Sequence, residues 1–405
     1  MTADLILTGG ILHGHGAAPL DIAIRDGRIA QIAPGIASGA RTVALDGALV
    51  TGGLIETHIH LDKSCLSVPG AATLSDAIAQ VSALKPAMTV EDITARATRT
   101  LHACIAQGTT RMRTHVEVDP AIGLRGFHAV QALASAHAHL IDIEICTFPQ
   151  EGLFNRPGTE ELLIRTLEAG APVLGGCPYA DTDPEGHIRR LFDIARRFDV
   201  DLDFHLDFDL DPGNATLPLV CRLTDEHGMA GRVTAGHVTK LAALPPETLA
   251  AMADLMAQSG VAATILPATD LFLTGRDHSH LAPRGVAPAH SLRRHGVTCC
   301  LSTNNVLNPF TPYGDGSLVR IANLYANVHH LGDPAALDDC LDMITHSSAR
   351  IMRLTDYGLA VGNPADLVVL DATSAPDAVA RIAQPLMGFK AGRPTFTRPR
   401  ANLNL

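Results

Sequence analysis

Short runs rich in apolar and β-branched residues recur along residues 51–304, separated by segments with helical periodicity. The runs begin at residues 51, 109, 140, 171, 201, 231, 261 and 297, so that after one longer interval they return every 30 to 36 residues. This interval is typical of one strand–helix–strand step. Eight strands alternating with helices predict a (β/α)8 TIM barrel, which is an α/β fold.

The segments between the runs carry the pattern of amphipathic helices. In EGHIRRLFDIARRF the apolar residues return at the 3.6-residue repeat, and they are Ile188, Leu191, Phe192, Ala195 and Phe198. The segment ELLIRTLEAG ends on Gly170, the residue type that commonly follows the last turn of a helix. We assign residues 51–355 to the barrel domain.

Both ends of the chain have a different pattern. Residues 1–50 contain short alternating runs with turn signals, as in DIAIRDGRIAQIAPG, and residues 356–405 repeat this character in GLAVGNPADLVVLDA. Strands at both ends of a barrel sequence pair most simply with each other. We therefore predict a small, sandwich-like β domain composed of residues 1–50 and 356–405.

Composition narrows the class of protein. The 405 residues are 46% hydrophobic, which excludes general disorder, and the formal net charge of −11 without a long basic run argues against a nucleic-acid or anionic-membrane partner. No apolar run approaches the roughly 18 residues of a membrane span, and the start MTADLILTGG does not resemble a signal peptide. The eight cysteines form no CxxC pair. We expect a cytoplasmic protein with reduced thiols and a small-molecule substrate.

Polar residues gather where barrel enzymes place their chemistry, at the C-terminal ends of the strands. Five of the 20 histidines fall there. The residues at the ends of the proposed strands are His58, His60, His115, Gln150, Tyr179, His205, His237, Thr269, Asp270, Asn304 and Asn305.

A metal site is the interpretation that this pattern favours. His58 and His60 lie two residues apart on one strand and therefore point to the same face. A lone His-x-His pair is more often structural, but His205 and His237 on two further strands complete a convergent set. His115, taken alone, is interpreted as a structural histidine. Four others in helix-like stretches are interpreted as surface or packing residues: His137, His139, His329 and His330.

Several longer motifs carry a family resemblance. They are GLIETHIHLDKS (53–64), RMRTHVEVD (111–119), FPQEGL (148–153), FHLDFDLDP (204–212), VTAGHVT (233–239), GRDHSHLAPRGV (275–286), STNNVLNPFTPYGDGS (302–317) and VGNPADLVVLDA (361–372). In this order, over nearly the whole chain, they resemble the amidohydrolase superfamily and more narrowly its cytosine deaminase-like branch. The resemblance implies a metal-bearing barrel with a small composite β domain and a homo-oligomer.

The resemblance also implies roles for single residues. His58, His60 and His205 match the imidazole ligands of one divalent metal, His237 matches the histidine that contacts the activated water and the substrate, and Gln150 matches a glutamine that reads a ring amide. Three neutral imidazoles and an open position suit Zn²⁺ and lower the pKa of its water to about 7. Fe, Mn and Co stay open as alternatives. The CPYA end of strand 4 has no lysine or glutamate that could bridge a second metal, so we expect one ion.

Two positions depart from the family pattern. Asn304 stands where the family has an aspartate, and Phe208 stands where the deaminases have a glutamate. An amide cannot act as a general base, although its carbonyl oxygen can bind a metal. His237 and Asn304 are therefore our candidate residues for catalysis. Asp62, Asp207, Asp270 and Asp315 are interpreted as turn or supporting carboxylates.

A substrate-binding set completes the prediction. Lys63, which directly follows the HxHxD run, either points into the mouth to bind an anionic or carbonyl group or is a solvated loop lysine. The predicted set is Gln150, Lys63, Phe208, Asn305 and Phe310.

Three functions remain open at this point. The first is metal-dependent hydrolysis of a C–N bond in a small cyclic amide, imide or amino-substituted N-heterocycle. The second is deamination of an aminated N-heterocycle, against which Phe208 counts because no carboxylate protonates the ring nitrogen. The third is a non-catalytic binding or regulatory protein, which predicts that Asn304→Asp would restore an activity that the natural chain lacks.

Overall fold

The computed structural model describes residues 3–37 and 39–404. Its strands, in chain order, are β1 (Leu5–Leu12), β2 (Leu20–Arg25), β3 (Arg28–Ala33), β4 (Arg41–Ala44), β5 (Leu49–Gly52), β6 (Leu54–Ile59), β7 (Thr109–Glu117), β8 (Asp142–Phe148), β9 (Val173–Gly176), β10 (Asp201–Leu206), β11 (Val233–His237), β12 (Ala262–Ile265), β13 (Cys299–Leu301), β14 (Leu367–Leu370), β15 (Pro385–Lys390) and β16 (Arg393–Thr397).

Helices connect and cover these strands. In chain order they are α1 (Leu74–Leu84), α2 (Val90–Ala106), α3 (Arg125–His137), α4 (Thr159–Glu168), α5 (Pro184–Phe198), α6 (Leu217–Glu226), α7 (Pro246–Ser259), α8 (Pro267–Leu273), α9 (Ala289–Arg294), α10 (Leu318–Val328), α11 (Pro334–Asp342), α12 (His346–Ile351) and α13 (Ala375–Ala380). Among the described residues, no helix has both the length and the apolar character needed to cross a membrane.

Strands β6 to β13 form the predicted parallel barrel, each paired with the next along the chain. The last strand returns to the first through a parallel bridge between Ile59 and Asn304. Two backbone hydrogen bonds of 2.9 Å make this closure, from Asn304 N to the His58 carbonyl and from His60 N to the Asn304 carbonyl. The closure places Asn304 directly beside the first two histidines of the predicted metal site.

A second sheet confirms that both ends of the chain build one small β domain. Its strand order is β16-β15-β14-β5-β1-β2-β3, with β4 paired to β1. Apolar side chains from both ends share its core, among them Leu7, Ile22, Leu367 and Phe389.

The passage between the two sheets differs from the sequence-based expectation. We expected a barrel strand to begin at Thr51, but Thr51 pairs with Val368 in the terminal sheet and the barrel strand begins at Leu54. Gly53 makes this transition possible, because a Cβ there would lie 2.1 Å from Thr110 Oγ1. The limits 1–50 with 356–405 and 51–355 remain a prediction of domain extent.

The barrel core follows the predicted helix faces. On α5 the side chains of Ile188, Leu191, Phe192 and Ala195 are buried, while Phe198 is partly buried against the same core. Burying an apolar stripe of this kind stabilises a helix more than its intrinsic propensity does. The seven connections between the eight barrel strands each contain at least one helix, which packs on the outside of the barrel.

Candidate metal centre and active-site cavity

Three imidazoles converge at the mouth of the barrel. His58 and His60 extend from β6 and His205 from β10, and each is at most 2% exposed. The Nε2 atom of His205 lies 3.1 Å from the Nε2 atom of His58 and 3.1 Å from that of His60. The structure thus brings together the predicted metal ligands, with one nitrogen of each ring aimed at a common point.

Burial keeps these rings neutral. Desolvation lowers the pKa of His58, His60 and His205 well below that of a free histidine, and the neighbouring imidazoles lower it further. Neutral imidazole is the form that binds a metal. His60 Nδ1 lies 3.1 Å from the His115 carbonyl oxygen. Because a carbonyl oxygen can only accept a hydrogen bond, the ring proton of His60 resides on Nδ1, and Nε2 keeps the lone pair that can bind a metal.

The donor set fits a divalent cation. The three Nε2 atoms have only one another as neighbours within hydrogen-bond distance, and the buried Asn304 Oδ1 has no hydrogen-bond partner among the described residues. Buried polar atoms without partners are costly, and a cation would satisfy them. His58, His60 and His205 would hold the ion, and Asn304 offers a neutral oxygen beside them.

His237 faces this centre from the next strand and is backed by a carboxylate. Its Nδ1 lies 2.6 Å from Asp270 Oδ1, and its Nε2 lies 3.5 Å from Asn304 Nδ2. Burial raises the pKa of Asp270, and the pairing with His237 opposes that rise. His237 has a φ of +68° and Val238 has a φ of +45°, a conformation that a β-branched residue adopts rarely and that often marks functional sites.

Thr269 and Asp270 require a correction. We expected both at the end of strand 7, but that strand ends at Ile265 and both residues lie on the short helix α8. Pro267 begins that helix, so the chain turns before it reaches them. The turn brings Asp270 back onto His237, which a strand-end position would not do.

The predicted substrate-binding residues line one small cavity above the histidines. Lys63 is 2% exposed, so the alternative of a solvated loop lysine is wrong. Its Nζ donates to Gln150 Oε1 at 2.8 Å and lies 5.1 Å from the centre of the Phe310 ring. The full lining is His60, Lys63, Leu74, Gln150, Tyr179, His205, Phe208, His237, Thr269, Asn304, Asn305 and Phe310.

Phe208 and Asn305 line the cavity with side chains of different polarity. The Phe208 ring packs edge-on against His237, with ring centres 4.5 Å apart, and it offers no proton. Asn305 Oδ1 accepts from Asn308 Nδ2 at 2.7 Å, so that its side chain is held in place. One side of the cavity is therefore apolar and the other carries fixed amide groups.

A buried charge cluster, which sequence reasoning missed, supports the Lys63 side of the cavity. We call it the Lys85 cluster, and it consists of Lys85, Glu117, Asp119 and Glu151. Lys63 Nζ lies 3.5 Å from Glu117. Burial raises the pKa of Glu117, whereas for Glu151 the bond from Lys85 outweighs burial and lowers the pKa to about 2. Lys85 begins a short 3₁₀ turn directly after α1, at a position that no local sequence pattern signals.

A second polar layer lies deeper in the barrel. Arg113 donates through Nη1 to Asp203 Oδ2 at 2.8 Å and through Nε to Glu144 Oε2 at 2.7 Å. Glu56 accepts from Thr303 N, and burial raises its pKa to about 7. Asp203 lies two residues before His205 on the same strand, so the period-two pattern could have placed it on the inward face.

The remaining polar residues take local roles. Asp62 accepts from Glu117 N, Asp207 accepts from the backbone at the start of α6, and Asp315 pairs with Arg320, as expected of turn and supporting carboxylates. His115 is buried and stacks on His58, with ring centres 3.7 Å apart.

An outer groove adjoins the enclosed cavity. It is lined by one face of α1 together with Glu151, Asn155 and Arg156. Leu74 and Tyr179 line both the groove and the inner cavity. These two side chains therefore form the wall between the outside and the histidines.

Known proteins share this whole architecture. The structure of 5-methylcytosine deaminase from Klebsiella pneumoniae, liganded with 5-fluorocytosine, superposes with a TM-score of 0.93 at 30% identity, covering 99% of each chain. That of N-isopropylammelide isopropylaminohydrolase from Burkholderia multivorans gives a TM-score of 0.86 at 32% identity, covering 97% of this chain and 98% of that one. A pterin deaminase of Rhizobium rhizogenes is 29% identical over 367 residues, 88% of this chain and 83% of its own length.

The family model confirms the resemblance seen in the motifs. The model described as "Amidohydrolase family" matches residues 77–396, which is most of the chain. The fold, the converging histidines and these relatives agree. The chain belongs to the amidohydrolase family, a family of metal-dependent enzymes that hydrolyse carbon–nitrogen bonds other than peptide bonds.

Proposed function

We propose that this chain hydrolyses a C–N bond of an amino-substituted N-heterocycle that also carries a ring amide, with one divalent metal held by His58, His60 and His205. The observation that carries the proposal is the convergence of three neutral imidazoles beside His237, opposite a wall that presents Gln150 and Lys63. Zn²⁺ is the first candidate, with Fe, Mn and Co as alternatives. That the protein is a cytoplasmic homo-oligomer remains a prediction from sequence.

His237 is the proton-transfer group in this proposal. Asp270 can only accept from Nδ1, which leaves the Nε2 lone pair facing the cavity, and the same carboxylate stabilises the ring once it is protonated. A bound divalent cation would supply a Lewis acid that activates water and polarises the bond under attack. Asn304 adds no negative charge to the site, so His237 takes the base role that a carboxylate has elsewhere in the family.

Gln150 and Lys63 bind the substrate ring in this proposal. Gln150 carries both an amide donor and an amide acceptor, the pattern that complements a ring amide. Lys63 is fixed by Gln150 and Glu117 and sits between the rings of Phe148 and Phe310, about 5 Å from each. A buried ammonium held in this way favours a substrate carbonyl or anionic group over a purely aliphatic one.

The relatives support the class of bond. A pterin deaminase, a 5-methylcytosine deaminase and an isopropylaminohydrolase of N-isopropylammelide are each named for removal of an amino substituent. Ring opening of a cyclic amide is the second candidate, and the specific observation in its favour is Phe208. Its apolar ring at the His237 side offers no group to protonate a ring nitrogen.

A panel assay separates the two candidates. Metal-reconstituted protein is assayed for release of ammonia or amine from aminopyrimidines, aminopterins and aminotriazines, and in parallel for loss of cyclic amides and imides. The proposal expects amine release from at least one aminated heterocycle. Turnover of cyclic amides alone would select ring opening. Silence across both panels in protein that binds metal, with Asn304→Asp restoring amine release, would select the non-catalytic interpretation.

A further inference from the structure

Asp203 occupies an unusual position beneath the metal ligands. It lies on β10 with its side chain inside the barrel, fully buried. Arg113 Nη1 donates to its Oδ2 at 2.8 Å, while its Oδ1 has no hydrogen-bond partner among the described residues. Barrel interiors are usually filled by branched apolar side chains, so a half-satisfied carboxylate there calls for a physical reason.

The free oxygen faces two imidazoles that also lack partners. Asp203 Oδ1 lies 3.4 Å from His115 Nε2 and 3.9 Å from His58 Nδ1. Neither nitrogen has a hydrogen-bond partner in the described structure. The carboxylate is fixed by Arg113, which itself is held by Glu144 on the adjoining strand. The two imidazole nitrogens and the carboxylate oxygen, which all lack hydrogen-bond partners among the described residues, therefore lie next to one another.

Metal binding by His58 would require an acceptor at Nδ1, and Asp203 Oδ1 lies 3.9 Å from that nitrogen. When Nε2 of an imidazole binds a cation, the ring proton resides on Nδ1 and needs an acceptor. His60 has such an acceptor in the His115 carbonyl oxygen. For His58, the carboxylate oxygen facing Nδ1 is Asp203 Oδ1. A buried N–H left without an acceptor is destabilising.

We propose that Asp203, held in place by Arg113, is the positioning residue that orients His58 for metal binding and fixes the proton on its Nδ1 nitrogen. The inference rests on the proposed metal site, but its readout is metal affinity and needs no substrate. A failure of the proposed reaction and a failure of this inference are therefore distinguishable.

Two other interpretations are weaker. Asp203 could serve only as the buried partner of Arg113, with no effect on the metal. Alternatively, His58, His115 and Asp203 could hold a second cation, because one ring nitrogen of each histidine and one carboxylate oxygen all lie within 4.8 Å of one another. The Arg113 guanidinium, 2.8 Å from the same carboxylate, opposes a cation by charge repulsion.

The test compares Asp203→Asn with the double variant Arg113→Met/Asp203→Leu. In Asp203→Asn, Arg113 still donates to the oxygen of the new amide group, so the NH₂ of that amide faces the N–H of His58. Two donors then face each other without an acceptor between them. The double variant removes both members of the buried Arg113–Asp203 ion pair, and the other partner of Arg113, Glu144, is partly exposed to solvent. Asp366→Asn, a buried carboxylate of the terminal sheet, is the matched control.

Metal dissociation constants are measured on purified apoprotein by competition of Zn²⁺ with a chromogenic chelator, and thermal unfolding checks the fold. Loss of a supporting partner of this kind weakens metal binding by roughly 10–100-fold. We expect this loss in both Asp203 variants and an unchanged constant in Asp366→Asn. If the double variant binds Zn²⁺ as tightly as the wild type does, Asp203 serves only as the ion-pair partner of Arg113. Two equivalents in the wild type, one of them lost on substitution, would assign it to a second metal site.

Discussion

In the proposed function, metal binding and proton transfer belong to different side chains. The proposed metal site is built from neutral donors, and carboxylates stand behind the imidazoles, Asp270 at His237 and Asp203 beneath His58. An amide at position 304 fits this arrangement, because it can contribute an oxygen without competing for the proton. His237 thereby both faces the cavity and is paired with a carboxylate.

The role of His237 predicts a large kinetic effect. His237→Asn removes the proton acceptor and should lower kcat by roughly 10²–10⁴-fold, while metal content stays near that of the wild type. Asp270→Asn should lower kcat in the same direction, because the ring loses the acceptor that fixes its tautomer. Steady-state kinetics with a substrate from the panel, together with metal analysis, measures both. Asp315→Asn, which loses a half-exposed pair with Arg320, is the control. A kcat within twofold of the wild type in His237→Asn would contradict the assignment.

The role of Lys63 predicts an effect on binding. A hydrogen bond to a charged group contributes about 1.5–3 kcal/mol, so Lys63→Met should raise KM by roughly tenfold or more with a smaller change in kcat. Lys240→Met is the matched control, because Lys240 is also a buried lysine but pairs with Asp209 outside the cavity. Equal KM values in the two variants would exclude Lys63 from substrate binding.

At the scale of elements, α1 and the loops around it close the cavity. Thr73 caps the helix by accepting from Asp76 N, and Pro86, which has no backbone N–H to donate, interrupts the α-helical hydrogen bonding where a 3₁₀ turn follows. The first residue of the helix, Leu74, reaches the inner cavity, and the residue just past its end, Lys85, enters the buried cluster. The helix is thus fixed at one end by charge and at the other by contact with the site.

Leu74 should control which substituents the site accepts. Leu74→Ala opens the wall between the cavity and the outer groove, and the ratio of kcat/KM for a bulky against a small amino substituent should rise by roughly tenfold. Ile78→Ala, on the same helix and lining only the groove, should leave that ratio unchanged. The ratio is measured with a series of N-alkylated aminoheterocycles. An unchanged ratio in Leu74→Ala would show that access follows another route.

The Lys85 cluster should be a main source of local stability. Lys85→Met leaves the buried Glu117, Asp119 and Glu151 without their common cation, and removal of one partner from a buried charge cluster costs about 3–5 kcal/mol. Urea unfolding of the variant and the wild type measures this difference. Arg156→Met, which removes only the exposed partner of Glu151, is the control and should cost far less. A loss below 1 kcal/mol in Lys85→Met would contradict the account.

The secondary-structure elements also explain why part of this site could be predicted from the sequence. The period-two spacing of His58 and His60, and the recurrence of strand ends at His205 and His237, were readable because strand geometry is regular. The predicted substrate-binding residues Gln150, Asn305 and Phe310 lie within the family motifs FPQEGL and STNNVLNPFTPYGDGS. Leu74 and Lys85 were not predicted, because their positions depend on how a long connection folds back over the mouth.

Other features could be located but not interpreted from the sequence. Asp270 was recognised as a carboxylate near the mouth, but its pairing with His237 depends on the turn at Pro267 that starts α8. The burial of Lys63 depends on Glu117, the last residue of β7, and on Gln150, which follows β8. Contacts between loops far apart in the chain have no local pattern, whereas the barrel and the terminal sheet have one.

At the scale of the whole molecule, the small sheet is joined to the barrel end opposite the site. Lys390 donates to Asp366 in the terminal sheet and to Asp142 at the start of β8, each at 2.6 Å. Tyr357 donates to the Gly53 carbonyl where the chain enters the barrel. The joint thus lies at the start of the strands, while the histidines lie at their ends. The terminal sheet supports the barrel and leaves the mouth to its loops.

Stability of the whole chain in acid should depend on Asp181. Burial opposes ionisation of this group, but the bond from His187 and two backbone N–H groups lower its pKa to about 2. A lowered pKa stabilises the fold above the usual aspartate value of about 4, and this contribution is lost as the pH falls toward 2. Asp181→Asn should therefore unfold more easily by about 1–2 kcal/mol at pH 7, with the difference shrinking between pH 4 and pH 2. Urea unfolding across this range is the measurement, and a constant difference would contradict the assignment.

Metal content with activity rescue tests the central claim most directly. Wild-type protein and His205→Ala are stripped with chelator, reloaded separately with Zn²⁺, Fe²⁺, Mn²⁺ and Co²⁺, and analysed for bound metal and for amine release from the heterocycle panel. The account predicts one equivalent in the wild type, loss of activity on stripping, return on reloading, and neither binding nor rescue in His205→Ala. Less than about a tenth of an equivalent in the wild type, with no activity restored by any of the four ions, would contradict it.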